Sequence, residues 1–322
     1  MSKVSIIIPI FNASPLLERC INSVLANNGD FPLEIICIDD GSTDNSVEIL
    51  REKYPMVPIL KQSNQGPASA RNKGIANATG KYLAFLDADD YWLAGFIEKT
   101  VSFLERHPDA VAVSVGQEHH LPNGSTNLAP QILSFNDNLQ SMVLEDFFEF
   151  WSAQNHVCTG SVLMRTDVVK QTGGQRPGLR ITEDLEFWAY MATFGKWGFI
   201  PEVLFVSDGG EVTKSLGWWE KNLIRWKSAP SIQEWEKRII QRQPELQHDK
   251  GYQLATGRIC KNLAYSALLS GRIELSRNMV FERGAYFPDD KVAKILKRTA
   301  PNPFVFFLAV NFLKIRERFR KI

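Results

Sequence analysis

The sequence is poor in the residues that build disulfide and metal frameworks. Its four cysteines, Cys20, Cys37, Cys158 and Cys260, form no C-x-x-C. That excludes a small disulfide-stapled scaffold and a zinc ribbon, and points to buried thiols in a reducing compartment. Its five histidines include the adjacent pair His119-His120 but no i, i+4 pair, so no His/Cys metal site is predicted. No apolar run reaches the ~20 residues needed to cross a bilayer. The first apolar stretch, Val4–Ile8, is short and runs into Pro9, so it reads as a strand rather than a signal peptide. Neither sign of charge dominates. Thirty-seven Lys and Arg against 36 Asp and Glu leave +1, which argues against a nucleic-acid partner. These absences together predict a cytoplasmic protein.

What is present is ordinary globular material: 322 residues, 44% hydrophobic and 23% charged, enough for one large domain or two ordinary ones. The first third alternates short apolar runs with amphipathic stretches. Val4–Ile8, Leu33–Ile38, Pro58–Lys61, Lys81–Leu86 and Val111–Val115 read as strands. Helices are predicted from Ser14-Pro15, after Asp44 through Leu50, from Gly66-Pro67 through Ala78, and over Phe96–Leu104. This alternation predicts parallel strands with helices on both faces, and ligands at the carboxyl ends of the strands. Residues 117–140 read as polar loop, His156–Arg165 and Phe199–Val206 as strands, and Thr182 as the start of a helix ending near Gly195. From Gly217 on, helices are predicted over Trp218–Gln241, Gln253–Ser270 and Ile273–Gly284. The last two read as a helical hairpin, with a single tetratricopeptide-type unit as the weaker alternative.

Several motifs fall on the predicted ligand edge. Asp87-Ala88-Asp89 follows an apolar strand, and residues i and i+2 of an extended segment point the same way. Two such carboxylates suit Mg²⁺ or Mn²⁺ completed by substrate phosphates. A D-x-D alone arises by chance about once in a chain of this size, and its plain reading is a solvated acidic turn. Its place after a buried strand is what gives it weight. Asp39-Asp40-Gly41-Ser42-Thr43-Asp44 follows a second strand. There Asp40 would point over the strand end, ready to accept a pyrimidine N–H, while Thr43 or Asp44 can cap the next helix. Arg71 stands on a helix start, either contacting a base or phosphate or making a surface salt bridge.

Taken in order, Ile7-Ile-Pro-Ile-Phe-Asn12, Asp39–Asp44, Asn64-Gln-Gly66, Ala70-Arg-Asn-Lys-Gly74 and Leu86-Asp-Ala-Asp-Asp90 resemble the family 2 glycosyltransferases. The resemblance covers roughly residues 3–215. It implies the GT-A fold, a Rossmann-like, mostly parallel α/β sheet flanked by helices, with a C-terminal helical region beyond it. It also implies inverting transfer from a nucleotide sugar, usually UDP-linked. By the same resemblance Pro9, Phe11, Asn12, Asp40 and Arg71 surround the uridine, Asp87 with Ala88 meets the ribose, and Asp89 holds the metal, with Asp87 beside it. Inverting transfer needs a base for the acceptor hydroxyl. Thr182-Glu183-Asp184 matches the family's base motif, with Asp184 in the base position, and a helix N-terminus is expected to hold its pKa low. The plain alternative for Glu183 and Asp184 is helix capping. Asn222-Leu-Ile-Arg225-Trp226 resembles the Q-x-x-R-W of processive synthases. Asn in place of Gln, and the lack of a membrane channel, point to transfer of one sugar. Trp218 and Trp226 offer rings for an acceptor sugar, core contact being the commoner fate of such residues. Val206–Ser215, with Lys214, reads either as a loop over the diphosphate or as a plain hairpin.

Three rivals are weaker. A haloacid-dehalogenase phosphatase wants Thr or Val where Tyr91 stands. A sugar nucleotidyltransferase wants a Gly-rich basic loop where Asn12-Ala-Ser-Pro15 stands. A non-catalytic, nucleotide-sugar-binding subunit would not need both Asp89 and Asp184. The boundaries read as 1–216 for the catalytic domain (donor half 1–116, acceptor half 117–216), 217–298 for a helical extension, and 299–322 for a tail. Residues 291–322 hold nine basic residues and a single acid, Glu317. With Phe304–Val310 apolar throughout, the tail is expected to lie on the inner face of an anionic membrane, or else to dock on the protein's own body or a second subunit. The expected partners are a nucleotide-sugar donor and a glycan or lipid-linked acceptor, commonly in bacterial surface polysaccharide synthesis. A homo-oligomer is compatible with the sequence, which carries no direct signal of one.

Overall fold

Ile6, Ile7 and Ile8 set the centre of the first half. Successive strand residues face opposite sides, and all three are fully buried in strand β1 (Val4–Ile10), so the strand needs cover on both faces. Ile6 and Ile8 share an apolar cluster with Cys20, Ile21 and Val24 of α1 (Leu17–Ala26) and with Phe96, Val101 and Leu104 of α4 (Phe96–Arg106). Ile7 meets α3 (Pro67–Asn77) instead. Gly74 lets that helix lie directly on the strand, because a Cβ there would sit 2.4 Å from Ile7 Cγ2.

The computed structural model describes residues 2–27, 29–121, 123–134, 139–208 and 218–319. The chain forms two compact units. One comprises Met1–Phe147, Gln154–Pro177 and Glu183–Glu211, the other Phe148–Ala153, Gly178–Thr182 and Val212–Ile322.

The first unit carries a ten-stranded sheet. Besides β1 its strands are β2 (Leu33–Asp39), β3 (Ile59–Lys61), β4 (Tyr82–Phe85), β5 (Tyr91–Trp92), β6 (Ala110–His120), β7 (Thr126–Ala129), β8 (Met142–Val143), β9 (Val162–Arg165) and β10 (Lys196–Ser207). Their order is β3-β2-β1-β4-β9-β6-β10-β5, with β7 beside β6 and β8 beside β10. β1 to β4 are mutually parallel, with Ile10 opposite Asp39 and Ile7 opposite Phe85. β9 runs antiparallel between β4 and β6, and β5 pairs antiparallel with the end of β10. The parallel reading therefore holds for the first half, and the second half makes the sheet mixed. The remaining helices of this unit are α2 (Ser46–Lys53), α6 (Thr166–Gln171) and α7 (Glu183–Met191), and α5 (Phe147–Ala153) begins in it.

The second unit is helical. It contains α8 (Trp218–Lys227), α9 (Ile232–Arg242), α10 (Lys250–Leu269), α11 (Ile273–Arg283), α12 (Lys291–Thr299) and α13 (Pro303–Phe319). Ile259, Leu263 and Ala267 of α10 are fully buried, as are Leu296 of α12 and Phe306 and Leu313 of α13. Arg283 pairs with Glu236 at 2.8 Å, and Tyr252 Oη donates to the same carboxylate at 3.1 Å.

Four expectations need correction. α1 begins at Leu17 rather than at Ser14-Pro15: the Ala13 carbonyl accepts from both Leu16 N and Leu17 N, at 3.0 Å each, so residues 14–16 form a turn leading into the helix. Residues 117–120 and 126–129 are strand rather than loop: β6 runs on to His120 and pairs with β7, Gln117 opposite Ala129. Only the last four residues of His156–Arg165 are strand. The helix expected over Trp218–Gln241 is two helices, since Pro230 lacks a backbone N–H and Ser231 caps α9 by accepting from the Glu234 N–H at 3.1 Å.

Candidate active site at the carboxyl edge of the sheet

β1, β2 and β4 end at one edge, and their trailing residues shape it. Asn12, with φ 51°, accepts the Thr43 N–H at 2.8 Å, tying the end of β1 to the loop after β2. Asn tolerates this left-handed backbone better than most residues. Pro9 precedes it, half-buried, and Phe11 is 51% exposed, a free aromatic face at the edge. Asp40 does not simply point over the strand end. Its Oδ1 accepts from Gln62 Nε2 at 2.8 Å and Gln65 N at 2.9 Å, and its Oδ2 from Gly66 N at 2.8 Å. Three of about four acceptor positions are therefore spent on building the turn that starts α3, leaving one for a ligand. Of the two expected caps it is Asp44 that serves α2, its Oδ1 accepting the N–H of Ser46, the first helical residue, at 3.0 Å. The N-cap residue Asn45 makes no side-chain cap.

Arg71, placed by α3, is neither a surface salt bridge nor open to solvent. Its side chain is 5% exposed, and Nη2 donates to Asp87 Oδ1 at 2.6 Å while Nη1 reaches Gln175 Oε1 at 3.3 Å. Asp87 keeps 32% of its side chain exposed, so the acid lines the edge and the cation lies behind it. Ala88 is buried. Burial, and then the charge of Asp87, push the Asp89 carboxyl above its ordinary range. Burial with Asp87 and Asp89 pushes Asp90 up to about 8.

Among the described residues, no three His, Cys, Asp or Glu side chains gather as a metal cage. A crowded, partly desolvated carboxylate pair is nonetheless what an Mg²⁺ or Mn²⁺ ion uses when phosphates supply the remaining ligands. The residues present fit such an ion.

Asp184 lies in the first turn of α7, but its carboxyl is not held low as expected for a helix N-terminus. Burial raises it, and the charge of Asp87 adds to that. Arg71 and the Leu185 N–H work in the opposite direction and do not overcome them. Arg71 therefore links Asp87 and Asp184 electrostatically, with Glu183 a further acid in its field. Thr182, just before this turn, has φ 58°. A β-branched residue in that region is strained, and such strain gathers at functional sites.

The structure thus brings Arg71, Asp87 and Asp184 together, with Asp89 on the same loop. Asn12 and Asp40 stand further along the edge, in the turns after β1 and β2. Arg225 and Trp226 belong to the helical unit. There Arg225 Nε donates to the Arg180 carbonyl at 3.2 Å, and Trp226 lies edge-on to Trp219 at 5.2 Å. Lys214 and the Trp218 side chain lie outside the described residues.

Sequence reasoning missed the cluster behind Asp89. Arg19 of α1 donates to the Asp89 carbonyl at 2.8 Å and pairs with Asp208, whose N–H reaches Asp90 Oδ1 at 3.1 Å. His120 sits between Glu118 at 2.8 Å and Asp208 at 3.2 Å, and both raise its pKa, Glu118 the more. Asp90 had a signal, being adjacent to the D-x-D. Arg19 and Asp208 had none, since an Arg on an amphipathic helix and an Asp after a strand are commonplace.

The comparisons with known proteins concern the family and the fold. A model of glycosyl transferase family 2 matches residues 5–172. An Escherichia coli K12 chain named uncharacterized glycosyltransferase YibD is 52% identical over 92 residues, covering 28% of this chain and 26% of that one. The Bacillus subtilis glycosyltransferase TuaG, provisionally named for teichuronic acid biosynthesis, is 30% identical over 194 residues, covering 58% of this chain and 70% of that one. A match to a Nostoc glycosyltransferase covers 36% of its length, so this chain spans well under half of several curated relatives. Among solved structures, S. aureus TarS 1-349 in complex with UDP-GlcNAc aligns with a TM-score of 0.59 at 16% identity, covering 99% of this chain and 92% of that one. A Pyrobaculum calidifontis mannosyltransferase in complex with GDP-Man and Mn²⁺ aligns at 0.54 and 19% identity, over 98% and 88%. These likenesses show the fold, the GT-A arrangement with helices C-terminal to it.

Proposed function

The chain belongs to glycosyl transferase family 2, and on that premise we propose that it moves one sugar from a nucleotide sugar to an acceptor hydroxyl with inversion. The observation that carries this reading is the Arg71–Asp87 pair beside Asp184, whose carboxyl burial has raised. A partly buried base with a raised pKa is better matched to taking a proton near neutrality than an ordinary carboxylate.

In this reading Asp184 accepts the proton of the acceptor hydroxyl as its oxygen attacks the anomeric carbon. The new carbon–oxygen bond forms on the face opposite the breaking bond to the diphosphate, which inverts the centre. The nucleoside diphosphate leaves with the electron pair. Arg71 fixes Asp87 toward the donor ribose and limits the repulsion between Asp87 and Asp184. Pro9, Phe11, Asn12 and Asp40 form the wall for the base. Asp89, with Asp87 beside it, would hold Mn²⁺ or Mg²⁺, which when bound neutralises the diphosphate as a leaving group.

UDP as the carrier is supported by the UDP-GlcNAc-bound structural neighbour. A surface-polysaccharide acceptor, glycan or lipid-linked, is supported by relatives named for teichuronic acid and poly(ribitol-phosphate) glycosylation. We place the transfer in residues 1–216, with the donor half in 1–116, the acceptor half in 117–216 and residues 217–298 as an extension. Turnover of a nucleotide-sugar panel, with Mn²⁺ or Mg²⁺ and mixed glycan and lipid acceptors, tests the reading. Release of nucleoside diphosphate with one donor supports it, and binding of every donor without release from any would leave a binding subunit.

A further inference from the structure

Helix α13 carries large apolar side chains on two opposite faces, the second interrupted only by Asn311. On a helix of 3.6 residues per turn, Phe306, Val310 and Leu313 fall on one side, and all three are buried. Phe304, Phe307, Leu308, Phe312 and Ile315 fall on the other and are 48 to 68% exposed. The first face accounts for the fold of the helical unit. The second does nothing for it, since its side chains stand in solvent. Large aromatic side chains left contiguous in water mark an interaction site rather than a core.

Charge says what the second face meets. Glu317, the one acid in residues 291–322, falls on the buried side and accepts from Tyr265 Oη at 2.9 Å. Lys314 and Arg316 fall at the two borders of the exposed face, and the sequence goes on with Arg318, Arg320 and Lys321. A second copy set against this face would bring like charges together along both borders. An anionic lipid surface meets aromatic residues and cations in the order they are presented, rings toward the acyl boundary and basic residues toward headgroups. Among the described residues no helix is long and apolar enough to cross a membrane.

We propose that the exposed face of α13 docks this protein on an anionic membrane surface while the opposite face stays packed on its own helical unit. The proposal stands on α13 alone and concerns where the protein works, not which sugar it moves. It requires no release of the tail, because both faces are satisfied at once. An acceptor held in the membrane plane would then be met by an enzyme held at the same surface.

Flotation of the full chain with vesicles tests this without any turnover. The chain should float with phosphatidylglycerol-containing vesicles at low salt, less so as salt rises, and poorly with phosphatidylcholine alone. The triple substitution Phe304→Ser, Phe307→Ser, Phe312→Ser should lower the bound fraction at least about tenfold, since three aromatic side chains no longer leave water. Each replaced residue is solvent-exposed, and an unchanged melting temperature confirms the fold. The salt series on the unaltered chain is an independent reading. Failure of the unaltered chain to float with any vesicle overturns the proposal. So does a dimer in sedimentation that the triple variant lacks, which would assign the face to a second copy.

Discussion

The Arg71 guanidinium, almost wholly enclosed, donates to Asp87 at 2.6 Å, so the cation of α3 and the acid after β4 hold one another. Removing Arg71 leaves Asp87 charged and unpaired but still 32% exposed, which costs about 1–3 kcal/mol rather than the larger penalty of a fully buried pair. Arg71→Met should therefore lower stability by that order and abolish transfer, and Arg71→Lys should recover part of the stability but lose the Gln175 contact. Urea denaturation beside turnover reads both. Unchanged stability in Arg71→Met would show that the pair does not hold this edge together.

For Asp184 the direction of the shift fixes the pH profile. A base works deprotonated, and burial has raised this carboxyl. The acid limb of kcat/KM should therefore lie above the ordinary carboxylate range, activity rising with pH through it. Asp184→Asn should remove that limb and cost about 10²–10⁴ in rate while donor binding persists, since the shape is kept and the basicity lost. A variant that keeps wild-type turnover would take the base role away from Asp184.

Asp89→Ala should weaken UDP binding in the presence of Mn²⁺ and leave metal-free binding nearly as it is. In the wild type burial, and then the charge of Asp87, resist ionisation of Asp89, and a cation relieves this. Calorimetry with UDP, with and without Mn²⁺, on both proteins gives four affinities. If all four coincide, Asp89 holds no metal.

Much of this edge was legible because its residues act through chain position. Asn12, Asp40 and Asp87 each follow a buried apolar run, and parallel strands carry such residues to one end whatever else the sheet does. The antiparallel β9 was not legible, since Val162–Met164 is a short apolar run that reads the same in either direction. The raised Asp184 escaped for another reason. A helix N-terminus is visible in sequence, but the enclosure that outweighs it is built from distant residues. Arg19 and Asp208, 189 positions apart, meet only in the fold.

Glu34 predicts the acid response of the fold. It accepts from Lys3 Nζ at 2.6 Å, Thr79 N at 2.8 Å and Thr79 Oγ1 at 2.7 Å, and also from Ser5. Burial alone would raise its pKa, but these bonds bring it down to about 2. A carboxylate depressed in the folded state binds fewer protons there than in the unfolded chain. Its stabilisation is thus complete above the ordinary carboxylate pKa and is lost as pH falls from there toward about 2. Glu34→Gln should cost about 1–3 kcal/mol near neutrality. It should also flatten the stability slope across that acid window. Denaturant titrations at several acidic pH values check both, and parallel slopes would mean that Glu34 does not carry the response.

Gly74→Ala sets helix propensity against fit. In an exposed helix interior Ala is favoured over Gly by about 1 kcal/mol, so propensity alone predicts a more stable protein. The added Cβ would lie 2.4 Å from Ile7 Cγ2 and 2.8 Å from its Cγ1. Ile7 is fully buried in a central strand and has nowhere to turn. Overpacking of this kind costs about 1–3 kcal/mol, which exceeds the propensity gain. The substitution should destabilise, and the strain should appear as α3 lifting from β1. Arg71 rides on α3 one turn earlier, so that lift would move its guanidinium relative to Asp87 and lower kcat more than donor affinity. Against an Ile7→Ala background, which lacks the Cγ1 and Cγ2 atoms the added Cβ would meet, Gly74→Ala should recover part of both losses. A stability gain in Gly74→Ala alone, or no recovery in that background, would mean that α3 does not rest on Ile7 as closely as this structure places it.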